Sequence, residues 1–109
     1  MRKVAASRVY SSQYDYKINQ IIEISSQKVV VVRDLKHEEP MTEWLTGTII
    51  LTNKTDINSE KIRHISDFYS FKKLRESNII YAWHVADLEH ATGNILSKNI
   101  SLDRKSTRL

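Results

Sequence analysis

The sequence contains no cysteine, one proline and two glycines in 109 residues. Without cysteine there are no disulfides, no thiolate zinc sites and no cysteine nucleophile. Gly47 and Gly93 stand too far apart to build a phosphate-cradling loop. Pro40 alone gives no Pro/Gly-rich linker, so one small domain over residues 1–102 is expected, with a β unit in 1–56 and a helix–strand unit in 57–102. No apolar run approaches the roughly 20 residues of a membrane helix. The opening MRKVAASRVY starts with two basic residues, Arg2 and Lys3, but has no long apolar run behind them, so a secretory signal is not expected and the cytoplasm is the expected compartment. Ser11-Ser12 and Ser25-Ser26 lack a Gly-x-Ser-x-Gly elbow, which removes the usual support for serine nucleophile chemistry.

What the chain does have is a dense β-branched run, Lys28–Leu35, KVVVVRDL. Valine is stiff at χ1 and fits a pleated strand better than a helix. Val30 and Val32 fall on one face, Val29 and Val31 on the other. The pattern predicts a central strand covered on both sides. Lys3–Tyr10 reads as a first strand and Lys17–Ser25 as a second, with Ile18, Gln20, Ile22 and Ile24 on one face. Ser25-Ser26-Gln27 is short enough for a tight hairpin. Met41–Thr52 reads as a fourth strand, and Gly47 in its middle marks a bulge or a close backbone approach. Trp44 and Trp83 are expected in the core.

The second half reads differently. Asn58 or Ser59 can cap a helix, with Glu60 in its first turn. Ile62, Ile65 and Tyr69 share one helical face, and Phe68, Phe71 and Leu74 another. The rotation predicts two short helices broken near Ser66-Asp67 and ending at Ser77-Asn78. Ile79–Val85 is a fifth strand, Ala86–Gly93 a turn or short helix, and Asn94–Leu102 is weakly patterned. The expected fold is therefore α+β: a mainly antiparallel four-strand unit, then one or two helices and a strand.

A formal net charge of +4 points toward nucleic acid, but much of it sits in the last seven residues. Asp103–Leu109, DRKSTRL, is the direct translation of GAT CGG AAG AGC ACA CGT CTG, the string of a common sequencing adapter. The tail is expected to be non-native, with a natural chain continuing beyond Leu102. Setting aside Arg104, Lys105 and Arg108 against Asp103 lowers the net charge from +4 to +2.

Candidate chemistry is sparse. His84, Asp87 and His90 could supply metal ligands if helical, but a three-residue spacing drifts about 60° around a helix at each step. Zinc sites more often use close histidine pairs with a distant ligand, and solvent-facing or capping roles suit these residues better. His37 beside Glu38-Glu39 could form an acid–base pair, although a charged turn before Pro40 is the commoner arrangement. Lys61, Arg63, Lys72, Lys73 and Arg75, interleaved with Phe68, Tyr69 and Phe71, could contact phosphates. The same charges also make an ordinary solvated face. No cofactor is expected.

The strand pattern of the first fifty residues resembles the N-terminal β-domain of amidohydrolase-type metal-dependent hydrolases. The matching pieces are Lys3–Tyr10, Ile21–Ser25, Lys28–Asp34 and Gly47-Thr48-Ile49-Ile50-Leu51. In that family the glycine-led strand runs into Pro-Gly and a His-x-His metal pair. Here Thr52-Asn53-Lys54-Thr55 follows, and His-x-His occurs nowhere. The resemblance implies an orphaned or fused β-domain without the metal site, serving as a scaffold, or in contact with a protein partner or a second copy of itself through strand edges. The alternatives are an N-terminal piece of a hydrolase whose site lies downstream, and a weak nucleic-acid module on the basic face.

Overall fold

The computed structural model describes residues 2–53, 58–69, 79–97 and 99–102. Eight strands are formed: β1 Arg2–Tyr10, β2 Tyr16–Ser25, β3 Lys28–Asp34, β4 Thr42–Thr52, β5 Tyr81–Val85, β6 Leu88–Glu89, β7 Asn94–Ile95 and β8 Ile100–Leu102. Six make one sheet in the order β3-β2-β1-β4-β5-β8, and β6 pairs with β7. The β1–β4 pair is parallel and the other pairs are antiparallel, so the sheet is mixed.

The fold is mainly β, which corrects the α+β expectation. Among the described residues there is no α-helix, only the 3-10 turns Ser59–Lys61 and Ile65–Phe68. The reason is local. Asn58 caps the first turn by accepting a hydrogen bond from the Glu60 amide, and Ile62 is already extended, with φ −85° and ψ 125°. His64 then caps the second turn, with Asp67 completing a reciprocal capping box. Two caps six residues apart leave no length for a helix to propagate. The break therefore falls at Ile62–His64 rather than at Ser66-Asp67. Ile62, Ile65 and Phe68 enter one buried cluster instead of two helical faces. The expected helix end at Ser77-Asn78, Phe71 and Leu74, and the 103–109 tail lie outside the described residues. Ala86–Gly93 contributes β6 and a turn, and Asn94–Leu102 contributes β7 and β8.

The valine run is a strand but not a central one. β3 ends the strand order, and Val30, Val31 and Val32 are 52%, 37% and 42% exposed. Val29 opposes Ile24 and Val31 opposes Glu23, which leaves Val30 without a cross-strand partner. Only Val29 packs on a core, and its amide donates to the Ile80 carbonyl at 2.8 Å. That bond brings the start of β3 against the approach to β5, so the sheet curls on itself. Inside the curl lie Val4, Ala6, Val9, Ile22, Ile24, Ile49, Leu51 and Ala82. Each fully buried Val or Ile contributes roughly 1.5–3 kcal/mol of transfer free energy.

The opposite face carries a second cluster. Tyr10, Ile50, Trp83 and Val85 from the sheet meet Ile62, Ile65 and Phe68 from the 3-10 segment and Ile95 from β7. Thr52 Oγ1 donates to the Phe68 carbonyl at 3.1 Å, and Tyr69 Oη donates to Leu51 O at 2.7 Å. These bonds fasten the 3-10 segment to the end of β4. Trp83 is buried as expected, but Trp44, beside Ala5 on the parallel neighbour, is 50% exposed.

Alternation of faces breaks in two places, one marked in the sequence by Gly47 and one that the sequence pattern does not announce. Between the pairs Ala6–Leu45 and Val9–Ile49, β1 advances three residues while β4 advances four. Gly47 sits in that bulge with φ +94°, where an added Cβ would lie 2.7 Å from Val85 O. In β2, Asn19 has φ 50°, and Ile18 is 60% exposed while Gln20, Ile22 and Ile24 are buried.

The connection from β3 to β4 spans two intervening strands, because both run parallel to β1 on opposite sides of the β1–β2 pair. Glu39 in this crossover is gripped by Arg33, whose Nη2 donates to Oε1 at 2.8 Å, and by Lys3 Nζ at 3.5 Å. Arg33 also donates to Glu23 at 3.0 Å. Glu39 is thus a structural anchor, while His37 and Glu38 are exposed.

Candidate functional site

A cavity of about 270 Å³ opens on the second face, where the ends of β1 and β2 meet the β6–β7 turn. Its walls are mostly aromatic: Tyr10, Tyr14 and Tyr16 on one side, His64 and His90 on the other. Gln13, Ile65 and residues 91–93 also line it, and none of these described residues is a carboxylate.

Each wall residue is placed by backbone pairing. Tyr10 and Tyr16 are register partners at the turn end of the β1–β2 ladder, so they share a face, with ring centroids 5.2 Å apart. The intervening turn is held by Ser12, whose Oγ accepts from the amides of Tyr14 and Asp15 at 3.2 Å. That turn leaves Tyr14 83% exposed at the rim. Arg8, two residues before Tyr10, lies with its guanidinium carbon 4.5 Å over the Tyr16 ring.

His64 is held as a clip rather than as a reactive group. Its Nδ1 accepts from the Ser66 amide at 3.0 Å, which leaves the proton on Nε2 to donate to Thr92 O at 2.7 Å. The Ile65 amide donates to Gly93 O at 2.8 Å and the Ile95 amide to Arg63 O at 2.9 Å. Gly93, at φ +81°, fits directly against the imidazole: a Cβ there would lie 2.7 Å from Nε2.

His90 differs. Its Nδ1 lies 3.1 Å from Tyr10 Oη, and the two rings are nearly parallel, 9° apart. Burial lowers its pKa below the usual imidazole range, and the nearby Arg8 charge lowers it further. A neutral imidazole bonded to a buried phenol can accept or pass one proton. The other hydroxyl-bearing residues of the lining are Tyr14, Tyr16 and Thr92.

The metal candidates are not brought together. His84 opposes Ile49 and shares the face of the curled core, where its Nε2 donates to Thr46 O. His90 lies on the other face beside Tyr10. Asp87 is exposed, and its carbonyl accepts from the Leu96 amide at 2.8 Å. Among the described residues no three His, Asp or Glu side chains are grouped to hold a metal.

Of the five candidate phosphate-contacting residues, two are described. Lys61 closes a 3-10 turn, and Arg63 Nη1 donates to Glu60 O at 3.2 Å. Lys72, Lys73 and Arg75 lie outside the described residues. No helix among the described residues is long and apolar enough to cross a membrane.

Sequence reading missed Tyr10, Tyr14, Tyr16 and His64 as a group. Three tyrosines within seven residues around a polar turn were the available signal. His64 and Gly93 could not be linked without the fold. No family model matches the chain, and neither the curated proteins nor the solved structures gave a match.

Proposed function

We propose that this chain is a non-catalytic β module that makes contact with a partner protein through the tyrosine–histidine cavity. The observation that carries this reading is an exposed apolar strip that starts at the lining residues Tyr14 and Tyr16 and continues to Ile18. Tyr14, Tyr16 and Ile18 are 83%, 46% and 60% exposed on consecutive alternate residues. Aromatic side chains beside a concave pocket supply contact area at low entropic cost and are enriched at protein interfaces. The order of strands in residues 2–52 supports reading the module as an orphaned or fused amidohydrolase-like β-domain without that family's metal pair. The lack of cysteine supports a reducing, cytoplasmic setting.

Peptide display against the immobilised chain tests the reading. Enriched peptides should lose at least about ten-fold in affinity, near 1.4 kcal/mol, against Tyr14→Ser/Ile18→Ser. Absence of enrichment, or peptides indifferent to that double variant, would contradict it.

A further inference from the structure

The fold leaves the hydrogen-bond donors of the cavity free. Tyr10 is buried, and its Oη has one partner, His90 Nδ1 at 3.1 Å. A buried phenol satisfies its donor only by donating there, which places the proton of the neutral imidazole on Nε2. Among the described residues that Nε2 has no hydrogen-bond partner, and neither have the hydroxyls of Tyr14 and Tyr16 or the side-chain amide of Gln13. Two backbone acceptors of the lining are already used: Thr92 O accepts from His64 Nε2, and Gly93 O from the Ile65 amide.

Charge narrows the occupant further. Among the described residues of the lining there is no carboxylate, lysine or arginine. Arg8 lies outside the lining, with its guanidinium carbon 4.5 Å over the Tyr16 ring. A cationic segment would meet that charge with no carboxylate to offset it, and an anionic one would find no cation inside the cavity. The complementary segment is therefore uncharged, rich in acceptors, poor in donors and able to lie flat on aromatic rings. A volume of about 270 Å³ lies just below the roughly 300–1,000 Å³ of sites for drug-sized ligands, so the ring that enters is small.

A proline-rich chain has these properties. Proline lacks the backbone N–H, and a polyproline II helix has no internal hydrogen bonds, so its carbonyls stand free to accept. It is ordered before it binds and loses little entropy in an aromatic-lined groove. Tyr16 and Ile18 stand about 7 Å apart along β2. One polyproline II turn advances about 9 Å, enough to cross that strip. We infer that the cavity and its rim receive a proline-rich segment of the partner in the polyproline II conformation, with a proline ring against the tyrosines and its carbonyls accepting from Tyr14 Oη, Tyr16 Oη and His90 Nε2. This rests on the protein-contact reading above and names the segment contacted.

The test is an NMR titration of the full chain with decaproline, following the ring signals of Tyr14, Tyr16 and His90, with a glycine–serine decapeptide as the flexible control. Decaproline should shift all three residues saturably and bind at least about ten-fold more tightly than the control. Tyr14→Phe/Tyr16→Phe keeps both rings and removes two donors, and it should weaken decaproline about ten-fold. An unchanged signal from the buried Trp83 indole shows that this variant is folded. If that signal is lost, Tyr14→Phe alone makes the same comparison at the exposed rim, with a loss of about three-fold. No saturable shift with decaproline, equal binding of the control, or equal binding by wild type and the hydroxyl-free variant would overturn the inference. An oligothymidylate binding ten-fold more tightly than decaproline would overturn the assignment to a protein segment. Peptides found by display that respond to Tyr14→Ser/Ile18→Ser but contain no proline would leave the contact reading standing and remove this one.

Discussion

Arg33 and Glu39 lie six residues apart in sequence and face each other as a fork on a carboxylate, with Nη2 donating to Oε1 at 2.8 Å and Nη1 to Oε2. The pair closes the crossover that carries the chain from one side of the β1–β2 ladder to the other. Hydrogen bonds from Arg33 are the main reason that the Glu39 carboxyl titrates at about 2.

A pH dependence follows. Glu39 moves from an ordinary value of 4.5 to about 2 on folding, so its contribution is fully present above pH 4.5 and is lost as pH falls toward 2. Glu39→Gln should lower Tm at neutral pH, and the gap from wild type should close across that acid window. A gap that stays constant down to pH 2 would show that the pair does not act through ionisation.

The clip between His64 and Gly93 predicts a non-additive pair. Gly93→Ala forces a Cβ to within 2.7 Å of Nε2 and places alanine at φ +81°. The left-handed backbone alone costs about 1–2 kcal/mol, and overpacking adds about 1–3 kcal/mol. His64→Ala removes the clash with the imidazole but neither the contact with Ile65 Cγ2 at 2.9 Å nor the backbone cost. In a double-mutant cycle by urea unfolding, the Gly93→Ala penalty should fall by about 1 kcal/mol or more in the His64→Ala background. Equal penalties in both backgrounds would mean that the two side chains do not meet.

The hairpin between β2 and β3 carries removable strain. Ser26 and Gln27 have φ 53° and 71°, the left-handed pair of a two-residue turn that favours Asn-Gly. Ser26→Asn/Gln27→Gly should raise stability by about 0.5–1 kcal/mol, read as a higher urea midpoint with unchanged m. An unchanged midpoint would contradict the turn geometry.

Much of the strand pattern was legible because β-branched runs and short polar breaks mark strands directly. Lys3–Tyr10, Lys17–Ser25, Lys28–Leu35 and Met41–Thr52 all lie within a residue or two of β1 to β4. The strain at Gly47 was also legible, since a lone glycine amid apolar residues signals a bulge or a close approach. What periodicity does not carry is which strand lies beside which. Val30 to Val32 look two-sided in sequence, yet the crossover held by Arg33 and Glu39 sends β4 to β1 and leaves β3 last in the order. Face counting failed at Ile18, because Asn19 turns through φ 50° and changes the parity of β2. The helical reading of residues 59–69 failed because His64 accepts the Ser66 amide like a capping side chain, a role its residue type does not advertise. The cavity was illegible for a related reason: Tyr10 and His90 are eighty residues apart and meet only through the fold.

The most direct measurement follows one bound peptide. A peptide enriched by display against the chain is labelled and titrated with wild type and with Tyr14→Ser/Ile18→Ser. The account predicts that the double variant weakens it at least about ten-fold. A peptide that binds both equally would contradict it.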